Sequence, residues 1–299
     1  EAEGNLAEFV DEKLADDRFG EKSFELAERK MLTRSIRGVI RKSGLKNGDV
    51  DTIISGDLLN QIISASFSAR EFDSGFLGVY NACSTMSESM LLASVLVDGG
   101  YLNNAICATS SHFATAERQY RYPLEQGTTR PAQSQWTVTG AGANLISRAD
   151  KGVSITAAAI GHVVDYGVTD ANNMGAAMAP AVAHTLLDFF AESKSTPAEY
   201  DLILTGDLGA LGSRLLKTLL KKKGVEINNH LDCGELIYNM DENEFQGGSG
   251  AGCSAVVFNS YIYKRMLIGD YKKVLFIATG ALMSTTSAQQ GESIPGIAH

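Results

Sequence analysis

The chain has 299 residues, of which 44% are hydrophobic, and its 35 acidic and 26 basic side chains give a formal charge of -9. That length supports a large core, arranged as one domain or as two halves. The acidic surplus argues against a nucleic-acid surface, which gathers Lys and Arg on one face. Four cysteines with no CxxC pair argue against a disulfide scaffold and a structural zinc site.

Residues 23–42 place Phe24, Ala27, Met31, Leu32, Ile36, Val39 and Ile40 at helical spacing, with Gly44 as the stop. A short strand is predicted over 51–55, closed by Gly56, then a helix over 82–97 ended by Gly99 and Gly100. Strands follow at 105–109 and 153–160. Beyond them come a helix at 181–190, a strand at 202–204, a helix at 211–222, a helix at 255–267 and a strand at 274–278. The run Lys221-Lys222-Lys223 closes its helix, where cations offset the helix dipole. Helices alternating with strands predict mostly parallel sheet covered by helices. No apolar run approaches the ~20 residues that cross a bilayer, 91–97 being the longest candidate. No signal peptide is visible.

A weak repeat organises the chain. Gly56-Asp57-Leu58 follows one strand and Gly206-Asp207-Leu208 another. The offset that carries Cys83 to Cys253 also carries Gly99 to Gly269, Tyr101 to Tyr271, Ala108 to Ala278 and Thr109 to Thr279. A shared offset over a helix–turn–strand unit indicates a duplicated half.

Cys83 opens the first repeated helix, where unpaired N–H groups and the dipole favour thiolate, so the position suits a nucleophile; a buried, inert thiol is the alternative. Arg118, Arg121 and Arg130 are candidate carboxylate clamps or salt-bridge partners. Asp57 and Asp207 suit helix caps or loop ties, with Ca²⁺ binding as an alternative for Asp207. Residues 247–252 superficially look like a dinucleotide loop but follow no obvious strand, and residues 241–244 form an acidic turn without EF-hand spacing. Neither NAD, ATP nor a metal is expected.

A duplicated α/β half, with Cys opening the first long helix and a Gly-rich turn opening its mate, resembles the thiolase and ketoacyl-synthase superfamily. In those enzymes an acyl group sits on the cysteine, and two histidines, or a histidine and an asparagine, assist. Here the corners read Thr205-Gly206-Asp207-Leu208 and Gln246-Gly247-Gly248-Ser249-Gly250, without imidazole. All five histidines, His112, His162, His184, His230 and His299, are expected away from both corners.

The series Gly56-Asp57-Leu58-Leu59-Asn60-Gln61, Ala82-Cys83-Ser84-Thr85, Ala108-Thr109-Ser110-Ser111-His112 and Ala116-Glu117-Arg118-Gln119-Tyr120-Arg121-Tyr122-Pro123 is more specific. It continues through Trp136-Thr137-Val138-Thr139-Gly140, Met174-Gly175-Ala176-Ala177-Met178-Ala179-Pro180 and Ala278-Thr279-Gly280-Ala281-Leu282 to Ile294-Pro295-Gly296-Ile297-Ala298-His299. Nearly the whole chain resembles the stage V sporulation protein AD family of spore-forming bacteria. The resemblance implies a thiolase-like α/β fold, a five-layer αβαβα arrangement of two similar halves, residues 1–165 and 166–299. It implies a homodimer that binds dipicolinic acid, alone or as Ca-dipicolinate, without catalysing a reaction. Such a protein works peripherally at the forespore or spore inner membrane with other stage V sporulation membrane proteins, moving dipicolinate into the spore and so bearing on spore germination. The alternative is an active acyltransferase using Cys83. The expected ligand-binding residues are Cys83, Ser84, His112, Thr139, Asp207, Gly248 and Ser249, around the two helix starts, where free N–H groups favour carboxylates.

Overall fold

Ser23 starts the first helix, α1 (Phe24–Ser43), by accepting the Leu26 amide on its hydroxyl, and Gly44 ends it at φ 76°. The computed structural model describes residues 6–121, 126–127, 129–149, 152–238 and 246–299. The acidic turn at 241–244 and the pair Tyr122-Pro123 fall outside them.

The first half continues β1 (Thr52–Gly56), α2 (Ile63–Ala69), β2 (Gly75–Gly78), α3 (Thr85–Asp98), β3 (Asn104–Ser111), α4 (Phe113–Tyr120), β4 (Trp136–Thr137) and β5 (Gly140–Ser147). Its sheet has the order β2-β1-β3-β5, with only β5 antiparallel to its neighbour. The second half holds α5 (Met174–Ser193), β6 (Leu202–Thr205), α6 (Gly209–Lys222), β7 (His230–Asp232), α7 (Cys233–Ile237), β8 (Gly248–Ser249) and α8 (Ala251–Val257). It ends with α9 (Tyr263–Leu267), β9 (Val274–Ile277), β10 (Thr279–Ala281), α10 (Thr285–Gln289) and β11 (Gly296–Ala298). Its sheet has the parallel order β7-β6-β9, and β10 pairs antiparallel with β11. In each half, then, the strand before the Gly-Asp-Leu corner is central, and the strand after the repeated helix lies beside it.

Strand residues on opposite faces enter different cores, which fixes the layers. Ile53 and Ile106 join Leu32 and Ile36 of α1, whereas Ile54 and Cys107 join Met86 of α3 and Ala255 of α8. In the second sheet Leu202 and Leu204 face Cys253 and Val257 of α8, while Ile203 faces Met178 and Leu186 of α5 and Leu216 of α6. The order is α1/α2, first sheet, α3/α8, second sheet, α5/α6: five layers, as expected.

Three expectations change. The residues at 153–160 form no strand: they are largely exposed, with Ile160 at 75%, and the nearby ladder contact is a lone bridge from Val164 to Gly296. A strand exists by pairing, and among the described residues none lies alongside this segment. The helix placed at 181–190 begins at Met174 instead. Its opening is rich in small residues because α5 and α6 touch closely there: a Cβ on Gly175 would stand 3.1 Å from the Gly212 nitrogen and 2.5 Å from the Leu208 carbonyl. By length and composition α5 could cross a membrane, unlike residues 91–97, but most of its surface is buried in the core. The helix placed at 255–267 begins at Ala251 and is interrupted by a π turn, Phe258–Ile262.

Candidate functional site

The middle helices bring their starts together. Ala82 takes a left-handed backbone, φ 50°, so that a tight turn, Ala82–Ser84, presents Cys83 just before α3. Gly250, φ 103°, does the same before α8; a Cβ there would lie 2.7 Å from Ser111 Oγ. The Cys83 thiol touches the Asp207 carboxyl, the Ser249 hydroxyl and the Gly250 N–H. Ser249 Oγ and Gly250 N–H donate to Asp207 Oδ2 at 3.1 and 3.0 Å, and the Thr279 hydroxyl donates to Oδ1. Thus β6, β8 and β10 each supply one part of a network that closes on the cysteine of the first half.

Burial decides the protonation of this network. It pushes the Cys83 thiol well above its ordinary range, and the Asp207 carboxyl opposite adds to the rise. Burial beside an acid thus works against the thiolate preference expected of a helix start. Burial also raises Asp207, against the lowering effect of its hydroxyl, thiol and amide donors.

Above the thiol lies a 320 Å³ cavity lined by Cys83 and Ser249, with Tyr80, Tyr120, Arg121 and Met174 among its walls. Tyr120 donates to the Leu58 carbonyl, and its hydroxyl lies 2.6 Å from that of Tyr80. Arg121 pairs with Glu117, which also accepts from Arg130 at 3.0 Å. Arg118 instead forms an exposed pair with Glu25.

Cys83, Asp207, Gly248 and Ser249 come together as the sequence suggested. Gly248 contributes backbone: its carbonyl accepts from Gln135 Nε2 at 2.8 Å. The remaining candidates turn elsewhere. Ser84 Oγ donates to the Asn81 carbonyl at 2.7 Å. His112 caps α4: its Nδ1 accepts the Ala114 amide at 3.1 Å, its Nε2 meets the Asp17 carbonyl at 2.7 Å, and burial lowers its pKa. Thr139 Oγ1 accepts the Phe113 amide at 3.0 Å.

The placement of the histidines needs one correction. His230 Nε2 lies 2.9 Å from Thr205 Oγ1, beside the Asp207 corner, and burial takes its pKa down to about 4. His299 Nε2 lies 2.6 Å from the Asn81 amide, two residues before Cys83. Sheet pairing and the β11 turn carried these imidazoles near the site, although they are distant in sequence. The hydrogen bonds of these rings run to Thr205 for His230, and to Asn81 and the Gly161 amide for His299. Among the described residues, no group of three His, Cys, Asp or Glu side chains is placed to hold a metal.

Sequence reasoning missed Asp232, Tyr120 and Thr279 as parts of the site's frame. Asp232 accepts the amides of Leu208 and Gly209, both at 2.9 Å, and so holds the corner that carries Asp207. Thr279 was visible as the repeat mate of Thr109; the signal for its role is that it follows the strand beside β6.

The profile of a family described as stage V sporulation protein AD matches residues 1–299. A stage V sporulation protein AD from Bacillus subtilis is 45% identical over 300 residues, covering 100% of this chain and 89% of that protein. Among solved structures, 3-oxoacyl-[acyl-carrier-protein] synthase III from Aquifex aeolicus gives a TM-score of 0.56 at 12% identity, covering 96% of this chain and 86% of that one. A variant of OleA from Xanthomonas campestris gives 0.59 at 14%, covering 90% and 80%. At such identities the likeness is one of fold, and the fold is thiolase-like.

Proposed function

The chain belongs to the stage V sporulation protein AD family and is a sporulation protein with a thiolase-like fold; on that premise we propose that it is a non-catalytic dipicolinate-binding component of uptake into the spore. One observation carries the reading: the thiol that would take an acyl group faces a buried acid, Asp207, and a hydroxyl, Ser249, rather than an imidazole. An acyl transfer needs a thiolate to attack and donors for the oxyanion that follows. Here burial and the facing acid disfavour the thiolate, and the Ser249, Gly250 and Thr279 donors are spent on Asp207 rather than left for an oxyanion. Losing one donor of that kind costs about 3–4 kcal/mol of barrier.

A small polar acid fits what remains. At 320 Å³ the cavity sits near the lower end of the ~300–1,000 Å³ usual for small-molecule sites, enough for one planar ring. Its walls combine tyrosine and methionine surface with a buried guanidinium. Ca²⁺ would enter as part of the ligand, carried by dipicolinate itself, because the oxygens of Asp207 are already occupied.

Isothermal titration of the whole chain with dipicolinate, with and without Ca²⁺, tests the binding. Saturable heat that disappears when Ser249 is replaced by Leu is the expected result; absence of heat in both conditions sinks the reading. Incubation with radiolabelled acyl-CoA decides the enzymatic alternative, and label on Cys83 would establish it.

The proposed homodimer would form through β2, the outer strand of the first sheet. Its edge carries Phe76 and Leu77, with Tyr80 close by, all exposed. Sedimentation of Leu77→Lys against the unaltered chain checks this. Attachment at the spore inner membrane would run through partner membrane proteins.

A further inference from the structure

We propose that Arg121 is the anion anchor of the cavity, receiving one carboxylate of a small planar aromatic acid on its guanidinium. This rests on the ligand-binding reading above and adds the group that recognises the charge.

The argument is a balance of buried charge. Among the described residues Glu117 is the one carboxylate paired with both Arg121 and Arg130, and the three side chains are 5%, 4% and 14% exposed. Two guanidinium groups therefore share one anion in a nearly dry setting, where uncompensated charge is costly. Asp207, the acid of the cavity floor, already accepts from Thr279, Ser249 and Gly250.

Donor accounting points the same way. A guanidinium has five N–H donors in a fixed plane. Arg121 Nη1 is spent on Glu117, and Nη2 reaches only the Met174 sulfur at 3.6 Å, a weak acceptor. Its Nε is buried and has no hydrogen-bond partner among the described residues. Arg130, whose Nε is likewise buried without a partner among the described residues, is differently employed: one Nη donates to the Gln135 carbonyl, and the group lies over the Trp136 ring at 4.8 Å. Arg130 thus completes the frame, while Arg121 lines the cavity with one Nη held only by a weak sulfur acceptor. Cys83, Tyr120 and Arg121 line the same cavity, so a flat acid would meet the tyrosine ring and the guanidinium together.

Titration calorimetry of dipicolinate against the unaltered chain and three variants tests the assignment. Arg121→Gln should weaken binding about 30-fold or more, the scale of a lost charge-assisted pair. Arg121→Lys keeps the charge without the planar fork and should lose about tenfold. Arg118→Gln, on the surface beside Glu25, should bind as the unaltered chain does. Circular dichroism confirms that each is folded, and the lysine variant carries the test if the glutamine variant is not. Unaltered affinity in Arg121→Lys or in a folded Arg121→Gln, with binding by the parent intact, overturns the anchor and leaves the dipicolinate reading standing. No binding by the parent chain overturns both.

Discussion

The two Gly-Asp-Leu corners share a sequence and a place in the fold, yet their acids do different work. Asp57, after β1, accepts the amides of Leu59 and Ala65, both at 2.7 Å, and so organises its own loop and the start of α2. Asp207, after β6, gives its oxygens to Ser249, Gly250 and Thr279, and faces Cys83 from the other half. The local capping that Asp57 performs falls in the second half to a different acid, Asp232. Thr109 and Thr279 divided similarly: the first donates to the Ala251 carbonyl at 2.8 Å, the second to Asp207. Duplication supplied equivalent positions; a second acid at the end of β7 released one of them for the site.

Removing each acid tests this division most severely. Asp207→Ala strands two buried hydroxyls and an amide, so urea denaturation should show a loss of about 3 kcal/mol together with loss of ligand binding. Asp57→Ala should cost about 1–2 kcal/mol, the scale of a lost cap, and leave binding intact. Equal losses of binding would dissolve the distinction.

The helix openings give a smaller contrast. Gly250→Ala meets both a positive φ and Ser111, so a loss of about 2 kcal/mol is expected. Ala82 already carries a Cβ at φ 50°, and Ala82→Gly should change stability by less than about 1 kcal/mol.

Buried acids of the first half predict a pH trend. Burial, with Asp57 nearby, raises Glu28 from 4.5 to about 8, against the donors Thr115 and Ser110; burial raises Asp57 itself to about 6. A raised acid binds its proton more tightly in the folded chain. Its stabilisation is fully present below the unfolded value near pH 4.5 and is lost as pH rises through 8. Below pH 6.5 the buried histidines His112, His230 and His299, whose pKa values burial lowers, give the opposite slope, so Tm should fall between pH 6.5 and pH 8.5, Glu28 contributing at most about 1.4 kcal/mol per pH unit. Glu28→Gln should flatten that slope, and a slope of opposite sign would show that Glu28 is ionised in the fold.

Much of this architecture could be read from residue order because the signals were local. Ser23, the spacing through Ile40, and Gly44 mark α1 from cap to stop, and the Cys83–Cys253 offset exposed the duplication. The strand expected at 153–160 failed because pairing is a property of neighbours, which alternation of side chains does not supply. The site was legible where helix starts determine it, at Cys83 and Ser249. It was not legible at Ser84, His112 and Thr139, whose direction depends on which backbone group stands beside them. Arg118 and Arg121 are three residues apart on one short stretch, and only tertiary packing sends one to the surface and the other inward.

The seam between the halves has a mechanical consequence. Cys83 comes from the first half, whereas Ser249, Asp207 and Thr279 come from the second, so any molecule resting on this floor acts as a bolt through both. Occupancy should then register as resistance to unfolding that grows with the logarithm of free compound. A protein loaded in this way would gain a fixed increment of toughness for each tenfold rise in free ligand.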